Sequence, residues 1–248
     1  MARPDGRSPL QLRPVTIECG VVPHAEGSCL ITQGRTKVLV TASAEQKIPA
    51  FLRETGEGWI TAEYGMLPRA THERTAREAA KGKQAGRTLE IQRLIGRALR
   101  GVVDRSCFPE STVTLDCDVL VADAGTRCAS VTGGWVALAL ALARLKKDGN
   151  LRGRPLREAA AGISVGIARG EVLLDLDYAE DSTADVDLNV VGTSGGRFVE
   201  VQGTAEREPF DEKQLRQMLA IARRGLRRLW AAQRRALAGR IPEDWIPD

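Results

Sequence analysis

A chain of 248 residues is long enough to bury a full core, as one large α/β domain or as two fused small ones. Apolar residues make up 43% and charged residues 27%, an ordinary balance for a globular protein. No apolar run is read as long enough to span a bilayer, and Met1 to Arg7 carries no signal-peptide core, so a cytoplasmic protein without a membrane partner is expected. The five cysteines (Cys19, Cys29, Cys107, Cys117 and Cys128) form no CxxC pair. They read as small buried hydrophobes in a reducing compartment, which excludes a disulfide framework or a zinc site.

Taken from the N-terminus, the chain opens as a β-meander. Val15 to Cys19, Ser28 to Thr32 and Lys37 to Ala42 alternate apolar and polar residues, the last two runs joined by a turn at Gln33-Gly34-Arg35. Ile48 to Pro68, with Gly56, Gly58 and Gly65, reads as an ordered but irregular loop. A helix is predicted over about Thr88 to Val103, with Leu89, Leu94, Ile95, Leu99 and Val102 on its inner side. Val113, Leu115, Cys117, Val119 and Val121 then alternate with Thr112, Thr114, Asp116 and Asp118, the period of a half-buried strand. After Asp123-Ala124-Gly125-Thr126-Arg127, the run Ala129 to Leu145 carries only Arg144 as a charge and predicts a helix buried nearly all round.

The stretch Asn150 to Pro155 is the natural linker, followed by a short helix over about Leu156 to Ala161. Two hairpins come next: Ile163 to Ala168 with Glu171 to Asp177, turning at Arg169-Gly170, then Ala184 to Val191 with Arg197 to Gln202, turning at Ser194-Gly195-Gly196. The last element is a helix from about Glu212 to Ala238. Asp211 is its N-cap and Gln214 sits three residues on; the inner stripe is Leu215, Met218, Leu219, Ala222, Leu226, Leu229 and Trp230. One domain over residues 1–248 is expected, with related sub-structures at about 1–150 and 151–248.

Charge is unevenly spread along this frame. The net charge is +4, yet between Arg69 and Arg105 ten basic residues face four acidic ones, an excess of six. Asp175 to Asp187 holds six carboxylates and no Lys or Arg. A basic surface beside an acidic pocket suits a metal-assisted enzyme acting on a polyanion.

Three constellations could carry chemistry. Gly125-Thr126-Arg127 opens a helix, where free N–H groups, a hydroxyl and a guanidinium make either a phosphate site or an ordinary tight turn. Asp185, Asp187 and Asn189 share one face of their strand, with Asp181 just before it. They form either a divalent-cation or proton-sharing site, or a solvated strand face. Arg69, Arg74 and Arg77, in a polar stretch, and Arg87, at a helix start, either grip a nucleic-acid backbone or decorate the surface. Aromatic residues are only 4% of the chain, too few for base stacking to be the main mode. The arginines of the last helix read as an exposed face. His24 and His72 are the only histidines, and there is no HExxH, Walker loop, GxGxxG or GxSxG. A hydrolase triad and a nucleotide-cofactor fold are thereby set aside.

Several longer motifs are specific when taken together. They are Arg3-Pro4-Asp5-Gly6-Arg7, Glu63-Tyr64-Gly65-Met66-Leu67-Pro68-Arg69-Ala70-Thr71, Gly86-Arg87-Thr88-Leu89-Glu90-Ile91-Gln92-Arg93, Ala122-Asp123-Ala124-Gly125-Thr126-Arg127, and the stretches from Asp175 to Ser182 and from Asp187 to Val191. On these the chain closely resembles, essentially end to end, the bacterial ribonuclease PH family of phosphate-dependent tRNA nucleotidyltransferases. The family usually shows glycine where this chain has Ala124.

The resemblance implies an α/β (α+β) fold of two βαβα-like halves, of the ribosomal protein S5 domain 2-like type, assembled as a homohexameric ring (a trimer of dimers). It implies an orthophosphate site at Arg87, Gly125, Thr126 and Arg127, catalytic or Mg²⁺-binding carboxylates at Asp181 and Asp187, and an RNA grip at Arg69, Arg74 and Arg77. The implied activity is phosphorolytic trimming of the 3′ ends of tRNA precursors, with ribosomal RNA precursors as a further substrate; the reverse reaction adds nucleotides. Two alternatives are a catalytically silent RNA-binding ring subunit and a hydrolytic metal-dependent nuclease.

Overall fold

The opening alternation folds into an antiparallel meander: β1 (Val15–Cys19), β2 (Gly27–Gln33) and β3 (Thr36–Glu45). The turn between β2 and β3 is two residues long, with Gly34 at φ +60°, the positive dihedral that such tight hairpins demand. This is a computed structural model that describes residues 3 and 5–247; Pro4 of the opening motif lies outside the described residues.

The expected irregular loop over 48–68 contains a strand, β4 (Trp59–Met66), which is a correction to the sequence reading. Ile60, Ala62 and Tyr64 point into the core. The glycines that suggested a loop mark close packing: a Cβ on Gly58 would lie 2.3 Å from the Phe108 carbonyl oxygen. Helix α1 (Gly86–Arg100) stops short of the predicted Val103. Its inner face is Ile91, Leu94, Ile95, Ala98 and Leu99, whereas Leu89, expected inside, is 46% exposed. Strand β5 (Thr112–Val121) pairs antiparallel with β3 and parallel with β4, giving a five-stranded sheet in the order β1-β2-β3-β5-β4.

Helix α2 (Thr126–Lys147) lies between this sheet and a second one, packing on β2 and β3 on one side and on β6 (Ala160–Ala168) on the other. By length and composition it could cross a bilayer, contrary to the sequence reading, but 83% of its most apolar window is buried in this protein. Its apolarity is that of a helix walled in by two sheets. The predicted short helix at Leu156 to Ala161 does not form. Leu156 bridges to Val103, and Ala160 and Ala161 already pair with Thr193 and Gly192 of β8 (Val186–Thr193). Ladder hydrogen bonds there outweigh a weak local helical preference.

Strand β7 (Glu171–Leu174) is shorter than expected; Asp175, at φ +56°, ends it, and Asp177 caps a single helical turn, α3 (Tyr178–Asp181). With β9 (Phe198–Ala205) the second sheet runs β7-β6-β8-β9, antiparallel throughout. Helix α4 (Glu212–Leu237) closes its other face, starting in the anticipated capping box: the Gln214 N–H donates to Asp211 Oδ1 at 2.7 Å and the Asp211 N–H to Gln214 Oε1 at 2.8 Å. The buried Gln233 of α4 donates to the Thr132 and Ala160 carbonyls, at 2.9 and 2.8 Å, fastening α4 to both α2 and β6. All five cysteines are free thiols, with Cys29, Cys117 and Cys128 buried.

Candidate active site

The N-terminus of α2 is the centre of the site. Ala124 (φ +59°) and Gly125 (φ +68°) are successive left-handed residues, which swing the chain sharply from β5 into the helix. Gly125 is the N-cap and brings no side chain, so the first-turn N–H groups are left for another partner. The turn is held from below. Thr36 Oγ1 donates to the Ala124 carbonyl at 2.7 Å and accepts from the Asp123 N–H at 3.0 Å, while Arg13 Nη1 donates to the Asp123 carbonyl at 2.5 Å. Thr126 Oγ1 is 2.9 Å from the buried Tyr64 hydroxyl on β4.

Around this end lies a cavity of about 630 Å³ whose wall includes Arg87, Gly125, Thr126, Arg127, Asp181 and Asp187. All six residues singled out for the phosphate and carboxylate sites therefore meet in one place, from four elements: α1, α2, α3 and β8. Arg127 is held from one corner, its Nη1 donating to Glu90 Oε1 at 3.0 Å and also to Gln202 Oε1. Arg87, in the first turn of α1, borders both this cavity and an adjoining one of about 680 Å³ that also takes in Arg77, Lys81 and Lys83.

Asp187 is anchored through one oxygen. Cys128 Sγ donates to Asn189 Oδ1 at 3.3 Å, which orients the Asn189 amide so that Nδ2 donates to Asp187 Oδ2 at 2.8 Å. Asp187 Oδ1 is buried and has no hydrogen-bond partner among the described residues. Burial above all, then the neighbouring Asp181, pushes the Asp187 carboxyl up to about 6. Burial also raises Asp181, against the pull of Arg87 and Arg127. Two hard-oxygen donors on one wall, one with an oxygen unspent, fit a Mg²⁺ ion that takes its other ligands from water and substrate phosphate. No cluster of three or more metal-ligating side chains exists among the described residues.

The remaining acids of the 175–187 segment do other work, which corrects the reading of that stretch as one acidic pocket. Arg3 forks onto Glu180 through Nε and Nη2, at 2.6 and 2.5 Å. Arg13 Nη2 donates to the fully buried Asp175 at 2.7 Å. Arg7 donates to the Asp175 carbonyl at 2.8 Å and lies within 3.8 Å of Asp177. The three arginines come from the N-terminal arm and pin α3, whose last residue is Asp181. Asp185 does not line the cavity. Arg69, Arg74 and Arg77 are exposed on the loop after β4; Arg77 borders the adjoining cavity, and none of the three lines the one at the start of α2.

Residues not foreseen as parts of the site include Tyr64, Cys128, Ser164, Glu90 and Gln202. Period-two burial at Ile60, Ala62 and Tyr64 was the available signal for Tyr64. Nothing local marks the others, because their neighbours are brought in from distant segments.

The chain matches the two domain profiles of the 3′ exoribonuclease family, domain 1 over residues 11–143 and domain 2 over residues 158–225. It belongs to that family. Among solved structures it is similar to rice (Oryza sativa) Rrp46, with a TM-score of 0.76 and 20% identity over 95% of this chain and 100% of that one. It is also similar to a chain of the Archaeoglobus fulgidus exosome solved with RNA bound to the active site (TM-score 0.76, 24% identity, 92% and 91% of the two chains). A third likeness is to an archaeal exosome core, with a TM-score of 0.70 and 22% identity over 92% and 90% of the two chains. The two-domain α/β fold is thus the one seen in these exosome structures.

Proposed function

We propose that this protein is a phosphorolytic 3′-to-5′ exoribonuclease of the bacterial ribonuclease PH type, which trims tRNA precursors, and ribosomal RNA precursors as further substrates, in the cytoplasm as a homohexameric ring. The observation that carries the reading is the convergence of Arg87, the uncapped α2 N-terminus, Arg127, Asp181 and Asp187 on one cavity. A carboxylate pair alone would suit hydrolysis; an anion seat beside it favours an oxyanion nucleophile.

In this mechanism inorganic phosphate is held by the α2 N–H groups, Arg87 and Arg127, whose charge lets two anions approach. One phosphate oxygen attacks the phosphorus of the last nucleotide. The bond from that phosphorus to the preceding 3′ oxygen breaks, a nucleoside diphosphate leaves, and the shortened RNA keeps a 3′ hydroxyl. Asp187, whose carboxyl is pushed up to about 6 chiefly by burial, hands the proton to the departing 3′ oxygen in this reading. In the alternative role of this pair, Asp181 and an ionised Asp187 would hold Mg²⁺, which would supply charge neutralisation at the scissile phosphate, and Asp187 would then not be the proton donor. Arg69, Arg74 and Arg77 draw in the RNA backbone from outside.

The deciding experiment is incubation of a 3′-extended tRNA precursor with and without orthophosphate, the products being separated by chromatography. Nucleoside diphosphate formed only with phosphate is the expected result. Monophosphate released without it would indicate a hydrolytic nuclease, and binding without release a silent ring subunit.

A further inference from the structure

Strand β6 presents two unlike faces. Ile163 and Val165 belong to the core beneath α4, with Ile163 packed at Gly225 of that helix. Gly162, Ser164 and Gly166 alternate onto the other face. There a Cβ on Gly162 would lie 2.8 Å from the Cys128 Cα atom, and one on Gly166 would lie 2.5 Å from Leu176. Backbone and core crowd this face on both sides, so Ser164 alone among the three projects a functional group. That group enters the cavity at the start of α2: a Cβ on Gly125 would lie 3.9 Å from Ser164 Oγ.

Ser164 is only 3% exposed, and its Oγ has no hydrogen-bond partner among the described residues. A buried, unpaired hydroxyl is costly in a folded protein and is ordinarily satisfied. The strand register sets Ser164 directly opposite Asn189, the residue that anchors Asp187 through Oδ2. The two unspent polar atoms of this wall, Ser164 Oγ and Asp187 Oδ1, thus belong to residues that line the same cavity as the α2 N-terminus. A hydroxyl there can donate, which the carboxylate cannot do while ionised.

We propose that Ser164 is a further ligand of the attacking anion, its hydroxyl donating a hydrogen bond to inorganic phosphate seated on the α2 N-terminus. The inference rests on the reading that this cavity binds phosphate. It assigns the seat a donor from the second sheet, so that the anion bridges α2 and β6. The same hydroxyl would hold the terminal phosphate of a nucleoside diphosphate in the reverse direction.

Ser164→Ala removes one oxygen from a tight face and should leave the melting temperature unchanged or slightly raised. Calorimetric titration of the intact protein with inorganic phosphate should show binding weakened by about tenfold, the scale of one charge-assisted hydrogen bond. In steady-state trimming, KM for phosphate should rise by a similar factor while KM for tRNA precursor stays unchanged; Ser164→Thr, which keeps the hydroxyl, should recover much of the phosphate affinity. Wild-type phosphate affinity in Ser164→Ala, with the parent still binding phosphate, overturns the role of Ser164 and leaves the phosphorolytic reading standing. A parent protein that neither binds phosphate nor releases diphosphate overturns both.

Discussion

Asp187 sits where a carboxylate is electrostatically unwelcome, walled in by protein and beside Asp181, with its carboxyl near 6 in the folded chain against 3.8 for a free aspartate. Because the folded value is raised, the stabilising contribution of the protonated form is fully present below about pH 4 and is lost as pH rises through about 6. Asp187→Asn removes that loss. We expect the variant to be more stable than the parent at pH 8, by about 3 kcal/mol, and to converge on it near pH 4. Trimming should be abolished across the range. Thermal melts at several pH values check the first point, and an equal melting curve at pH 8 would contradict it. Arg127→Ala should likewise end phosphate-dependent trimming while tRNA binding, measured by filter retention, stays nearly intact. Turnover at ordinary phosphate concentrations in that variant would rule out its assigned role.

The turn into α2 shows how an element can be strained for the sake of what it presents. Ala124 adopts φ +59°, a region in which a side chain costs about 1 kcal/mol relative to glycine. Ala124→Gly should therefore raise unfolding free energy by about 0.5–1 kcal/mol without changing the anion seat; urea titration measures it, and a loss of stability would count against the strain. Helix α2 itself meets β2 with almost no clearance. A Cβ on Gly27 would lie 2.0 Å from the Ala137 carbonyl oxygen, so Gly27→Ala should cost about 3 kcal/mol, with phosphate affinity as the control on local damage at the distant helix start.

Seen across the molecule, charge is sorted into two tasks. The arginines of the N-terminal arm are buried against Asp175, Asp177 and Glu180, so they fix the geometry of α3 and contribute nothing to the surface field. Breaking such a buried pair strands its partner, and Arg3→Ala should cost about 3–5 kcal/mol. The exposed arginines after β4 are available for long-range attraction instead. A triple Arg69→Ala, Arg74→Ala, Arg77→Ala variant should bind tRNA more weakly, with a log–log salt slope shallower by about 3. An unchanged slope would show that these residues do not meet phosphates.

The elements with strong periodicity were legible from the residues themselves: the meander, the α2 helix and the capped α4. The six cavity residues were legible as candidates from their chemistry, and the family resemblance singled them out. What the chain could not disclose locally came from contacts between remote segments. The strand at Trp59–Met66 was obscured because Gly58 and Gly65 resemble loop markers until Phe108 is packed against one of them. The acidic run divided into structural and cavity-facing carboxylates only once Arg3, Arg7 and Arg13 were folded onto it from more than 160 positions away. Periodicity records which face of an element avoids water, whereas the partner of a buried charge is set by where folding brings the rest of the chain.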